Sequence, residues 1–176
     1  NLFWGAHMVH HSSEEYNLSV ALRQSWFHNL LAFFIFLPLP FLGFDPKVFG
    51  IAAGIDVLYQ FWIHTKAINK LPAWFEYIFN TPSHHRVHHG RNPKYIDKNH
   101  AGMFIVWDRM FGTFQAEEEE VVYGITTPLK SWNPMWANLH YYVDLFRLGG
   151  RFKRWADRLT LLFRAPGWKP VELGGY

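Results

Sequence analysis

Two largely apolar runs, residues 30–44 (LLAFFIFLPLPFLGF) and 48–63 (VFGIAAGIDVLYQFWI), stand back to back with only Asp45-Pro46-Lys47 between them. So much continuous apolar side chain has to be covered by lipid or by protein, and the rest of the chain must be arranged around that need. Each run falls short of the roughly 20 residues a spanning helix requires. Extending the first back to Trp26 adds Trp26 and Phe27, aromatic residues suited to an interface, while Pro38 and Pro40 should kink or interrupt its helix. The expectation is a helical hairpin over 26–63 that enters a bilayer and returns; a buried hairpin in a water-soluble helical protein is the alternative. Aromatic residues make up 19% of the chain and charged ones only 18%, against about 25% charged in ordinary soluble domains, which favours lipid. One turn brings Ile63 back to the side from which Trp26 set out, so the flanks share a face. Arg23, Lys66 and Lys70 place that face in the cytoplasm.

The 176 residues are enough for one domain with a core of its own. Absence of cysteine excludes disulfides, iron–sulfur clusters and thiol nucleophiles, so any metal must sit on nitrogen and oxygen ligands. A net charge of +3 is too weak to indicate nucleic acid as a partner. The start, Asn1-Leu2-Phe3-Trp4, has neither an initiating Met nor a basic signal region, so the chain reads as a fragment of a longer protein.

Beyond the hairpin, residues 71–79 read as a short amphipathic helix opened by Pro72, and residues 90–100 as loop. Residues 102–114 form a helix or a buried segment, and the acidic run 117–120 reads as a solvated loop. In residues 151–164, Phe152, Trp155, Leu159, Leu162 and Phe163 recur at helical spacing. The enclosing segment 144–169 carries seven cationic residues against two acidic ones. A basic amphipathic element of this kind either lies on a membrane surface or docks on the core with a solvated basic face.

Seven of the 11 histidines fall in two short windows that repeat one pattern, H-x-x-H-H: His7, His10 and His11, then His85, His88 and His89, with His84 just ahead of the second. On a helix the second and third histidines of each box flank the first within roughly a 100° arc, so three imidazoles are expected to point at one place. Neutral imidazole is the commonest metal ligand, and two such boxes offer six nitrogens to one or two ions. His64, at the end of the hairpin on the shared face, joins them. His84 reads equally as a ligand or as a support behind one. His28 and His140 read as structural. An all-nitrogen set suits iron or zinc.

The boxes astride a hydrophobic hairpin resemble the fatty acid hydroxylase and sterol desaturase superfamily. The flanks HHSSEEYNLSVALRQS (10–25), EYIFNTPSHHRVHHGRNPKYIDKNHAG (76–102) and WDRMFGTFQAEEEE (107–120), with APGW at 165–168, resemble those of its members that cleave glycerol ether lipids. The resemblance implies two histidine-held metal ions, taken to be iron, molecular oxygen as oxidant and tetrahydrobiopterin as reductant. It also implies hydroxylation of the ether-bearing carbon to a hemiacetal that breaks down to a fatty aldehyde. His7, His10 and His11 match the family's second box, His85, His88 and His89 its third, and His64 a ligand position on the preceding helix. Gln60 stands where some hydroxylases have another His, and His100 where relatives usually have Tyr. The family's first box, H-x3-H or H-x4-H, has no equivalent here and is expected ahead of Asn1.

These readings predict an all-α protein: an integral membrane helical hairpin bearing a cytoplasmic, histidine-rich, metal-binding cap. Its partners are the membrane, a lipid substrate and an electron donor. The alternatives are a fatty acid or sterol hydroxylase or desaturase fed by a cytochrome-type donor, and a non-redox zinc membrane protein. Asp108 and Arg109, with Trp107, are expected to brace the fold rather than to meet oxygen.

Overall fold

A computed structural model describes residues 1–174, and among these the architecture is all-helical. In chain order the helices are α1 (Leu2–His11), α2 (Leu18–Ala21), α3 (His28–Phe36), α4 (Pro38–Phe41), α5 (Pro46–Trp62), α6 (Ala73–Ile78), α7 (Pro82–His88), α8 (Val106–Phe111), α9 (Pro134–Gly150) and α10 (Trp155–Phe163), followed by a 3-10 turn at Val171–Leu173. The one β-bridge among the described residues joins Gly90 to Tyr123.

The 26–63 segment folds into three helices, α3, α4 and α5. α3 gives way to α4 between Phe36 and Pro38, where proline removes a backbone donor. After a turn at Gly43 (φ +91°), α5 starts with Pro46 in its first turn and the Asp45 carboxylate accepting from the Lys47 N–H at 2.7 Å. None of the residues of α3, α4 and α5 is buried, although Phe33, Phe34, Phe41, Ile51 and Leu58 are among them. No helix of the described residues is long and apolar enough to cross a membrane. α5, with 17 residues, rises about 25 Å against a hydrocarbon core of roughly 30 Å.

The cap is built by α1, α2, α7 and the segments after the hairpin. Gly5 lets α9 lie close on α1, for a Cβ there would come within 2.9 Å of the rings of Tyr141 and Tyr142. α9 starts at Asn133, whose side chain accepts from the Met135 and Trp136 N–H groups. It packs on α10 through Leu145, Phe152 and Leu161, each such buried side chain contributing about 1.5–3 kcal/mol.

Two expectations are corrected here. The segment 151–164 is not one continuous helix: Phe152 lies before α10 and is buried, whereas Trp155, Leu159 and Phe163 are exposed, so the apolar stripe is not the docking face. The acidic run is not simply solvated. Glu117 forms a partly buried ion pair with Arg86, and Glu118 pairs with Lys94 at 3.0 Å. α9 covers Pro134–Gly150, a stretch of mixed aromatic and polar residues.

Candidate metal centre

Seven histidines converge, but not box by box. His10, His64, His85 and His89 form one group whose donor atoms lie within 4.8 Å of one another, and His7, His11 and His88 form a second. Each box is therefore shared between the groups. The i, i+4 pair of one box (His85 and His89) joins the i+3 histidine of the other (His10), and the pair His7 and His11 joins His88 in turn. The expectation that all three imidazoles of a box point at one place is corrected accordingly. On a helix i and i+4 differ by only about 40°, while i+3 falls about 60° to the other side, so two facing boxes interdigitate in this crossed way.

Backbone carbonyls decide which nitrogen of a ring is free. His10 Nδ1 lies 2.9 Å from the Val20 carbonyl and His64 Nδ1 2.6 Å from that of Gln60. A carbonyl only accepts, so Nδ1 carries the proton in each ring and Nε2 is left bare. These two bare Nε2 atoms face each other at 3.1 Å, with His85 Nε2 2.9 Å from that of His64. Facing lone pairs repel unless a cation draws them together. In the second group, His11 Nε2 is buried with no hydrogen-bond partner, a condition that costs about 1–3 kcal/mol and that a metal would relieve. The donor set thus fits a metal site.

Burial keeps these rings neutral. Desolvation first, then the mutual repulsion of neighbouring imidazoles, depresses His7, His10 and His88 to about 3, and His11, His85 and His89 well below the usual imidazole value. His64 is lowered by burial as well, partly offset by its bond to the Gln60 carbonyl. Neutral rings are the form that binds metal.

His84 stands apart from both groups. Its Nε2 lies 3.9 Å from the Glu76 carboxylate, its ring meets the edge of Phe114, and its carbonyl accepts from Asn99 Nδ2. His28 and His100 flank the second group, with ring centroids 6.1 Å from His7 and from His88 respectively. His140 is remote, hydrogen-bonded to the Trp136 carbonyl of its own helix. Gln60 donates to Asp56 at 2.6 Å.

Asp108 braces the loop after the second box, accepting from the His100 and Ala101 N–H groups and from the Thr113 hydroxyl. Arg109 donates to the Tyr77 and Glu76 carbonyls, and Arg23 to the Val9 carbonyl and the Ser12 hydroxyl at the end of α1. Tyr16 was not anticipated. Buried beside the first group, it donates to the Ile63 carbonyl, packs on His64 and His89, and stacks on Tyr123 at 4.7 Å. Its position five residues beyond His11, the end of the first box, was the only sequence cue.

A cavity of about 790 Å³ opens onto the histidines. Leu31, Ala32 and Ile35 of the hairpin give it an apolar wall, and Arg91, Asp97 and Lys98 line another part of it.

The sequence profile of the fatty acid hydroxylase family matches residues 1–113, and the chain belongs to that family. Over 170 residues, 97% of this chain, it is 45% identical to alkylglycerol monooxygenase from Xenopus tropicalis and covers 38% of that protein. The corresponding Homo sapiens and Danio rerio proteins are 45% and 46% identical over the same share of the chain, which spans 38% of each. No solved structure matches the chain.

Proposed function

We propose that this chain supplies the metal-binding cap and lipid-facing hairpin of an oxygen-using membrane monooxygenase that cleaves glycerol ether lipids. The observation that carries this reading is the crossed pair of histidine groups opening onto a cavity with one wall made by the hairpin. In this reading His10, His64, His85 and His89 hold one metal and His7, His11 and His88 the other, while His84 supports the second box from its contact with Glu76. When bound, two iron ions supply the activation of molecular oxygen.

The chain's own residues hold and orient. Neutral imidazoles, fixed by the carbonyls of Val20 and Gln60, keep their free nitrogens inward. Leu31, Ala32 and Ile35 offer an alkyl chain an apolar route from the hairpin, and Arg91, Asp97 and Lys98 offer partners to glycerol hydroxyls. The overall change replaces a C–H on the ether-bearing carbon with C–OH. One atom of O2 enters the substrate, and the other leaves as water with two electrons and two protons from a reductant of the tetrahydropterin class. The product is a hemiacetal, and its C–O bond breaks to give a fatty aldehyde and glycerol. An ester has no hydrogen on the corresponding carbonyl carbon and is not turned over. The exposed apolar hairpin sits in the bilayer, with the cap on the cytoplasmic side.

The test incubates the full-length protein in membranes with an alkylglycerol, oxygen and either tetrahydrobiopterin or a cytochrome-type donor, and follows fatty aldehyde. Aldehyde formed with the pterin is the expected result. Hydroxylated fatty acid or sterol formed with the cytochrome donor, and no aldehyde, overturns the substrate assignment; bound zinc without oxygen consumption overturns the redox reading.

A further inference from the structure

The aromatic stripe of α10 faces away from the molecule. Leu161 packs against Leu145 and Phe152, and on a helix of 3.6 residues per turn it lies about 200° from Leu159. The stripe therefore points outward, leaving Trp155 69% and Phe163 71% exposed, with Phe146 of neighbouring α9 at 85%. Large apolar side chains gathered in this way on a surface mark a contact with something else. The same segment carries Arg151, Lys153, Arg154, Arg158 and Arg164, all exposed, against Asp157 alone. None of the five forms an ion pair among the described residues. Arg158 turns its guanidinium to the Phe152 carbonyl, and the other four are exposed to solvent.

We infer that α10 is a membrane contact separate from the hairpin, lying flat on an anionic lipid surface. Trp155, Leu159 and Phe163 enter the boundary between headgroups and acyl chains, and the exposed cations of the segment meet lipid phosphates. The charge selects the occupant: a neutral apolar partner would leave Arg151, Lys153 and Arg154 without counter-charges, whereas an anionic bilayer supplies both the apolar layer and the phosphates. These residues lie beyond the segment matched by the family profile, and the inference is independent of the catalytic reading.

The chain has no cysteine, so a nitroxide on Leu159→Cys reports one place. The full chain is reconstituted in phosphatidylcholine vesicles with or without phosphatidylglycerol, and the accessibility of the label to molecular oxygen and to a water-soluble nickel complex is compared. A second label, on Phe41→Cys at the hairpin tip, reports the hairpin separately. The expected result is a position-159 label shielded from nickel only when phosphatidylglycerol is present. Replacing Arg151, Lys153 and Arg154 with Gln should lower the docking equilibrium by about 100-fold, from roughly 1 kcal/mol per cation. A label open to nickel in both lipids overturns the inference. So does a label shielded equally in both lipids and indifferent to the three Gln substitutions, which would mean that another segment or a second copy covers the stripe.

Discussion

Arg86 grips Glu117 with both prongs of its guanidinium, Nε to Oε1 at 2.7 Å and Nη2 to Oε2 at 2.6 Å. Its remaining N–H groups go to the carbonyls of Thr65, Ile68 and Asn69, so all five donors are used. A residue inside the second histidine box thereby ties α7 to the segment leaving His64 and to the acidic run. Burial works against the charge of Arg86, but the hydrogen bond and charge of Glu117 outweigh it and raise its pKa.

Removing Glu117 would leave that guanidinium without a counter-charge and with two of its donors unpaired. Glu117→Ala should lower stability by about 1–3 kcal/mol, the usual cost of leaving buried donors unpaired. Denaturant unfolding of the two proteins in the same detergent checks this. A change within about 0.5 kcal/mol, typical of a surface substitution, would show that the pair does not hold the cap together.

The crossed grouping makes combinations of substitutions informative. In the full-length protein, His10→Ala with His85→Ala strikes two boxes but one group, and on the proposed assignment should spare a metal at His7, His11 and His88. His7→Ala with His10→Ala strikes one box but both groups, and should deplete both metals. Elemental analysis of the purified proteins decides between this and a box-by-box arrangement, for which the two outcomes would be exchanged. His140→Ala should retain full metal content.

The pH dependence of the metal-free chain follows from its buried imidazoles. His7, His10 and His88 remain neutral in the folded state down to about 3, whereas in the unfolded chain they protonate near 6.5. Their folded values are depressed, so the unfolded state takes up protons first and folding stability falls as pH drops from about 6.5 toward 3. Above that window these groups contribute no pH dependence. Unfolding free energies flat from pH 7 to pH 4 would contradict the burial of the cluster.

The hairpin returns to the side from which it set out, so Glu14, just after α1, and Lys94, after α7, should face the same compartment. Single-cysteine variants at the two positions, treated with an impermeant thiol reagent in sealed vesicles, should react from the same side. Labelling from opposite sides would mean that the 26–63 segment crosses the bilayer rather than returning.

Much of this protein was legible in local pattern. The duplicated H-x-x-H-H boxes, the proline break after Phe36, the turn at Asp45-Pro46 and the helix entered from Pro72 depend on residues within a few positions of one another, where helical spacing and the chemistry of proline act directly. His64 was found because it ends an apolar run. What remained hidden depends on contacts far apart in sequence: His10 meeting His64 54 residues on, Arg86 meeting Glu117 31 residues on, and Tyr16 reaching the Ile63 carbonyl 47 residues on. Periodicity likewise located the stripe of α10 without telling which side would dock, because that choice turns on Leu161 finding Leu145 and Phe152. The sequence by itself determined that histidines would gather beside an apolar hairpin. Only the tertiary structure decided that each box would be divided between two groups, because the angle at which α1 faces α7 is a property of their packing and not of either helix alone.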